Sequence, residues 1–139
     1  TRPSIRSMCQ VLAVATLSAC GLFGPESSAV VIVTDVASAN QPTRFTVRNG
    51  GSHVVFVSRC GDHVRPVVDR LGDDGWLNAM GSACQDNVSQ APLALGPGEA
   101  RVDGVTISQP GTYRLRVALT RESVNAPSLS VVSPRFVVR

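Results

Sequence analysis

The residues best suited to chemistry cluster around Cys60-Gly61-Asp62-His63. This segment sets a thiol and an imidazole three positions apart, with His53 upstream and Met80 downstream. Thiolate, imidazole and thioether are the ligand types of a blue-copper site. Such sites place the Met a few residues after the second His, whereas Met80 lies far past His63, and Cys84 competes for Cys60. A Cys60–His63 nucleophile pair meets the same objection, because a disulfide consumes the thiol. Serine, histidine and aspartate are all present, but no Gly-x-Ser-x-Gly turn frames a serine. Asp62, Asp73 and Asp74 are oxygen donors of the kind calcium takes, yet their spacing is not that of an EF-hand loop. No catalytic residue, metal ligand, cofactor or small-molecule substrate is assigned, and the chain reads as a non-enzyme.

Charge is the other chemical resource. All thirteen basic residues are Arg, and the formal net charge is +3. Arg2 and Arg6 lie in an N-terminal targeting segment, so the remainder holds eleven Arg against ten acids, a net +1. There is no basic run and no interleaving of aromatics with basic residues, which argues against nucleic acid as a partner. Arg44 and Arg48 share one face of a candidate strand, and Arg114 and Arg116 one face of another. If the two strands are neighbours, they form a basic surface suited to anionic lipid or cell-wall polymer.

The first twenty residues read as an address. Arg2 and Arg6 precede an apolar run from Val11 to Leu17, broken only by Thr16, and Leu17-Ser18-Ala19-Cys20 follows. A basic start, a short apolar stretch and small residues before a cut make a secretory signal. The apolar stretch is too short to span a bilayer as a helix. Leu17-Ser18-Ala19-Cys20 resembles the bacterial lipobox, where the signal is cleaved before the Cys. The resemblance implies a lipoprotein precursor with diacylglycerol on Cys20, a membrane partner through that lipid, and an envelope location. Two or three acyl chains hold a domain durably, since each buried CH₂ contributes roughly 0.8 kcal/mol. Gly21 stands where an Asp would retain the protein in the inner membrane, which leans toward the outer membrane, facing periplasm or surface. The chain opens on Thr1, and a start at Met8 would lack the basic region, so a truncated N-terminus is expected. Residues 1–19 are the expected signal peptide, 20–29 a Gly/Pro/Ser-bearing tether, and 30–139 the folded domain.

Cys9 leaves with the signal and Cys20 takes lipid. Cys60 and Cys84 remain, an even pair in an oxidising compartment, and a disulfide is the default. It would tie the end of a strand to the region from Asp73 to Ala91, the least strand-like part of the domain, read as a long loop or a helical turn.

The elements that must position these residues are strands. Valine is plentiful, and glycine and proline punctuate the chain throughout. Val30 to Val36 is an expected first strand. Thr43 to Arg48 alternates strictly, with Phe45 and Val47 on one face. Asn49-Gly50-Gly51 tolerates positive φ and predicts a hairpin returning through His53 to Ser58. Val64 to Arg70 is a shorter strand, after which Trp76 and Leu77 are expected to re-enter the core. Leu93 to Leu95, Arg101 to Ile107 (with a bulge at Gly104) and Ser128 to Val138 (interrupted at Ser133-Pro134) complete the set. Thr112 to Thr120 alternates with Tyr113, Leu115, Val117 and Leu119 inward. Seven or eight strands with regular turns predict an all-β, immunoglobulin-like antiparallel β-sandwich. Gly111-Thr112-Tyr113 looks like the tyrosine corner of such sandwiches.

The order of Arg48-Asn49-Gly50-Gly51, Asp69-Arg70, Trp76, Leu95-Gly96-Pro97-Gly98-Glu99 and Pro110-Gly111-Thr112-Tyr113 is similar to the BsuPI-type family, the intracellular proteinase inhibitors. The resemblance spans about Phe45 to Leu119 and carries no inhibitor-contact residue onto this chain. It implies proteinase inhibition as the runner-up function, with the Cys60–Cys84 loop as the only candidate reactive loop. The first expectation is a binding or accessory domain with an envelope protein as partner.

Overall fold

In the computed structural model, residues 30–81, 84, 87–89, 91–120 and 129–139 are described. The expected signal, Cys20 and the tether lie outside the described residues. The strands are β1 (Val30–Thr34), β2 (Pro42–Asn49), β3 (Val55–Val57), β4 (Arg59–Cys60), β5 (His63–Val64), β6 (Pro66–Gly72), β7 (Gly75–Met80), β8 (Leu93–Leu95), β9 (Ala100–Thr106), β10 (Gly111–Thr120), β11 (Leu129–Val132) and β12 (Phe136–Val138). Among the described residues there is no helix. The fold is an immunoglobulin-like antiparallel β-sandwich.

One sheet has the order β1-β2-β9. The other is built around β10, the longest strand and the most regular in sequence. Its inward residues Tyr113, Leu115, Val117 and Leu119 are all buried, against Phe45, Val47 and Ile32 of the facing sheet. Along one edge of β10 run β6 and then β3, with β7 and β8 beyond them. The residues between Ser58 and Pro66 loop out of that edge as the β4–β5 hairpin. Along the other edge run β11 and β12, effectively one strand interrupted where Pro134 lacks a donor. The Ser133 hydroxyl repairs the ladder there by accepting from the Leu115 amide at 2.9 Å. After β1, the chain crosses from the first sheet to the second. Ala37 bridges Val138 in parallel, and the Ala39 amide donates to the Arg139 carbonyl.

Several expectations need correction. Asn49-Gly50-Gly51 is no hairpin: β2 pairs β1 and β9, whereas β3 pairs β10 and β8. None of the three residues has positive φ. Instead the buried Asn49 amide acts as a clamp between sheets, donating to the carbonyls of His53, Leu95 and Gly96 while its oxygen accepts from Gly51. Gly104 is no bulge, since the β2–β9 register runs unbroken through it. The irregularity falls instead between Val68 and Asp69, opposite β7. The Asp73–Ala91 region contains a full strand, β7, and Trp76 and Leu77 sit on it outside the core.

The tyrosine corner is present. The buried Tyr113 hydroxyl donates to the Gln109 carbonyl at 2.9 Å. Gly111 has φ +156, and a Cβ there would meet the Arg70 side chain at 3.0 Å and the Tyr113 ring at 3.2 Å. Tyr113→Phe keeps the ring and orphans that carbonyl. It is expected to lower stability by about 1 kcal/mol in urea unfolding, with β10 packing unchanged.

Candidate functional site

The two sheets differ in width, and that difference opens a hollow. The first sheet ends at β9, while the second continues past β6 to β7. Among the described residues no strand of the first sheet packs closely on β7, and only the end of β9 at Thr106 reaches the groove beside it. Leu77 pairs with Arg70, which pairs with the inward Tyr113, so Leu77 also points to the sandwich interior. It is nevertheless 60% exposed, and Met80 is 37% exposed. The result is a groove of about 600 Å³ lined by Val68, Arg70, Leu77, Met80, Ile107 and Tyr113 among others. A second hollow of about 360 Å³ continues it past Met80 toward Val64, Val105 and Cys60. Arg70 closes one end, with its guanidinium donating to Gln109 Oε1 and the Pro110 carbonyl. Polar groups of Arg70, Asn78, Ser108 and Gln109 share the larger groove with Leu77 and Met80, while the second hollow is mostly apolar, a mixture suited to an apolar side chain or segment with polar groups at its ends.

The β4–β5 hairpin guards the other end. Cys60 is bonded to Cys84. On the same side the Arg59 guanidinium donates to the Ala91 carbonyl and the Ser89 hydroxyl, and the Gly61 amide to the Ser89 carbonyl. Asp103 points inward from β9, accepts from the Val64 amide at 2.7 Å and pairs with His63 Nδ1 at 3.1 Å. An inward carboxylate on an edge strand also blunts edge-to-edge pairing. Cys60, His63 and Met80 do line one hollow, but a bonded sulfur is not a thiolate ligand. His53 sits apart, on the β2–β3 connection beside Ser52. Asp62 and the Asp73–Asp74 pair occupy different turns. Among the described residues no three His, Cys, Asp or Glu side chains gather as a metal cage.

The Arg stripes do not merge, because β2 and β10 lie in different sheets. Arg114 and Arg116 are already engaged. Asp69, opposite Arg114 on β6, accepts from Arg114 Nε at 3.0 Å and from Arg116 Nε and Nη2 at 2.7 and 2.9 Å. Burial opposes ionisation of Asp69, but the hydrogen bonds and charges of Arg116 and Arg114 outweigh it and hold its pKa below the ordinary value. The bond to Asp69 raises the Arg116 pKa in turn. Arg114 also stacks over Trp76, 4.4 Å from the ring centroid. Sequence reasoning missed Asp69. The available signal was one acid in a valine-rich strand, matched to two Arg spaced by two on the other alternating strand.

No family model matches the chain, and no curated protein matches it. Among solved structures, it is similar to the ASH / PapD-like domain of human CEP192 (PapD-like domain 7). The TM-score is 0.41 at 12% identity, covering 100% of this chain and 96% of that one. The fold assignment above rests on strand topology and the tyrosine corner.

Proposed function

We propose that this chain is a lipoprotein of the bacterial cell envelope, anchored through Cys20, whose β-sandwich is a non-enzymatic binding or accessory domain. The lipobox-like Leu17-Ser18-Ala19-Cys20 supports the anchor, and Gly21 supports the outer membrane. The observation that carries the binding role is the inner side of β7, where the exposed apolar side chains Leu77 and Met80 stand in a groove of mixed polar and apolar lining. Apolar side chains over a preformed groove are what a partner's apolar segment buries. The proteinase-inhibitor reading gains no observation of its own. It needs a long exposed loop tied at both ends, whereas β5, β6 and β7 take up most of the Cys60–Cys84 segment.

The test has two arms. Expressed full-length in a bacterium, the protein should label with palmitate, and Cys20→Ala should abolish the label. Unlabelled, soluble wild type defeats the anchor. For the groove, tagged lipidated protein is used to capture partners from envelope extract, in parallel with a Leu77→Glu/Met80→Glu variant. Both side chains are exposed, so the variant should fold. A partner lost at least tenfold by the variant supports the groove, and one retained equally overturns it. Turnover of a small substrate defeats the non-enzymatic reading, and capture of a protease that the purified protein inhibits replaces it with the runner-up.

A further inference from the structure

We infer that the outer face of the β1-β2-β9 sheet lies against the anionic lipid surface of the membrane that holds Cys20. This rests on the lipoprotein reading above. The register sets Val33, Thr46 and Val102 in one row across the sheet, and Val31, Arg48 and Ala100 in the next. Val31, Val33 and Val102 are 47%, 58% and 48% exposed. Arg44 stands opposite Gly104, whose lack of a side chain leaves its flank open.

The arginines among the described residues fall into two groups. Arg59, Arg70, Arg101, Arg114 and Arg116 each bind a carbonyl, amide, hydroxyl or carboxylate. Among the described residues the side chains of Arg44 and Arg48 on this face, like those of Arg65, Arg135 and Arg139 elsewhere, make no hydrogen bond or ion pair, and Arg44 and Arg48 are exposed. Two exposed acids among the described residues lie at the rim: Asp35 just past the end of β1, and Glu99 just before β9, whose carboxylate already accepts from the Gly96 amide. Valines flanked by unpaired guanidinium groups match a headgroup layer, with apolar groups at the acyl boundary and cations on anionic headgroups.

Chain length brings this face to the membrane. Gly21 to Ala29 separate Cys20 from β1, and nine residues reach at most about 30 Å when extended. They join the domain at Val30, in the strand that carries Val31 and Val33. A short tether feeding this strand raises the local concentration of its face at the bilayer.

The lipidated full chain is reconstituted into vesicles of phosphatidylcholine alone or mixed with phosphatidylglycerol. A nitroxide is placed at Val102→Cys or, as control, at Val137→Cys. Val137 is exposed on the outer face of the other sheet. On anionic vesicles the Val102 label should lose accessibility to a water-soluble nickel relaxant about fivefold or more. Molar salt or Arg44→Glu/Arg48→Glu should restore it, and the Val137 label should stay open. Equal accessibility of the two labels, or protection at Val137 instead, overturns the inference. Flotation separates the two failures. A chain that floats with the vesicles but keeps Val102 open defeats the docked face alone, and a chain that does not float defeats the anchor and the inference together.

Discussion

Replacing Cys60 and Cys84 together by Ser is expected to lower the stability of the domain by about 3 kcal/mol. The bonded residues are 24 apart in sequence, and closing a loop of that size costs the unfolded chain about that much in the chain-entropy account. For a domain of this size the melting temperature should fall by roughly 10–15 °C. The loss should also have a location. Cys84 and Asn87 to Ser89 lie on the sandwich through the disulfide and the bonds to Arg59 and Gly61, with few buried apolar groups of their own. Amides around Gly61 and Ser89 should therefore exchange fastest in the variant, while those of β2, β9 and β10 keep the order set by global unfolding. The groove mouth is framed by the same hairpin, so partner capture should weaken before the core melts. Circular dichroism during heating and mapped hydrogen exchange check this. A loss under about 1 kcal/mol, with exchange around Gly61 and Ser89 unchanged, would refute the structural role of the bond.

What the sequence made legible follows the range of the forces involved. β10 was legible because strict alternation over a long strand has one reading, and its partners Phe45 and Val47 were legible for the same reason. The Tyr113 corner was legible because a Gly and a Tyr two apart have a local task. The disulfide was legible because Cys60 and Cys84 are the even pair left once Cys9 and Cys20 are read as signal and lipid site. The connection after Asn49 was misread because turn residues look alike whether the chain folds back or crosses over. What decides is a buried amide meeting carbonyls of β8 and its flanking turn, far along the sequence. Trp76 was misplaced because a large apolar residue normally belongs inside. Here Arg114 covers its ring on the outer face of the sheet. β7 itself was missed since its exposed residues show no buried face to alternate against. The groove was invisible for a related reason. It arises because the facing sheet lacks a strand opposite β7, and no single segment records that.

Asp69→Asn is expected to cost about 2 kcal/mol at neutral pH, and Asp69→Ala about 3 kcal/mol. A typical surface ion pair contributes about 1 kcal/mol or less. Asp69 differs in that its side chain is 3% exposed and takes hydrogen bonds from two guanidinium groups, each charge-assisted. Alanine leaves Arg114 and Arg116 facing each other across an empty position, hence the larger effect. Both arginines keep a quarter to a third of their side-chain surface in water, which holds the cost below that of breaking a fully buried pair. The pH dependence has a definite sign. Because the folded-state pKa of Asp69 is depressed, its stabilisation is fully present above the unfolded value near 3.8 and is lost as pH falls through the folded value. The gap between wild type and Asp69→Asn should therefore be constant from about pH 7 to about pH 5 and close below about pH 4. Trp76 gives an independent reading, since it is the only Trp in the chain and Arg114 stacks over it. Freed from Asp69, Arg114 should leave the ring, and the native-state emission of Trp76 should change in Asp69→Asn at pH 7 and in wild type at acid pH alike. Urea unfolding followed by that emission at several pH values measures both effects at once. A gap that persists unchanged at about pH 2.5, or an Asn variant as stable as wild type at pH 7, would show that the outer face is held by something other than this triad.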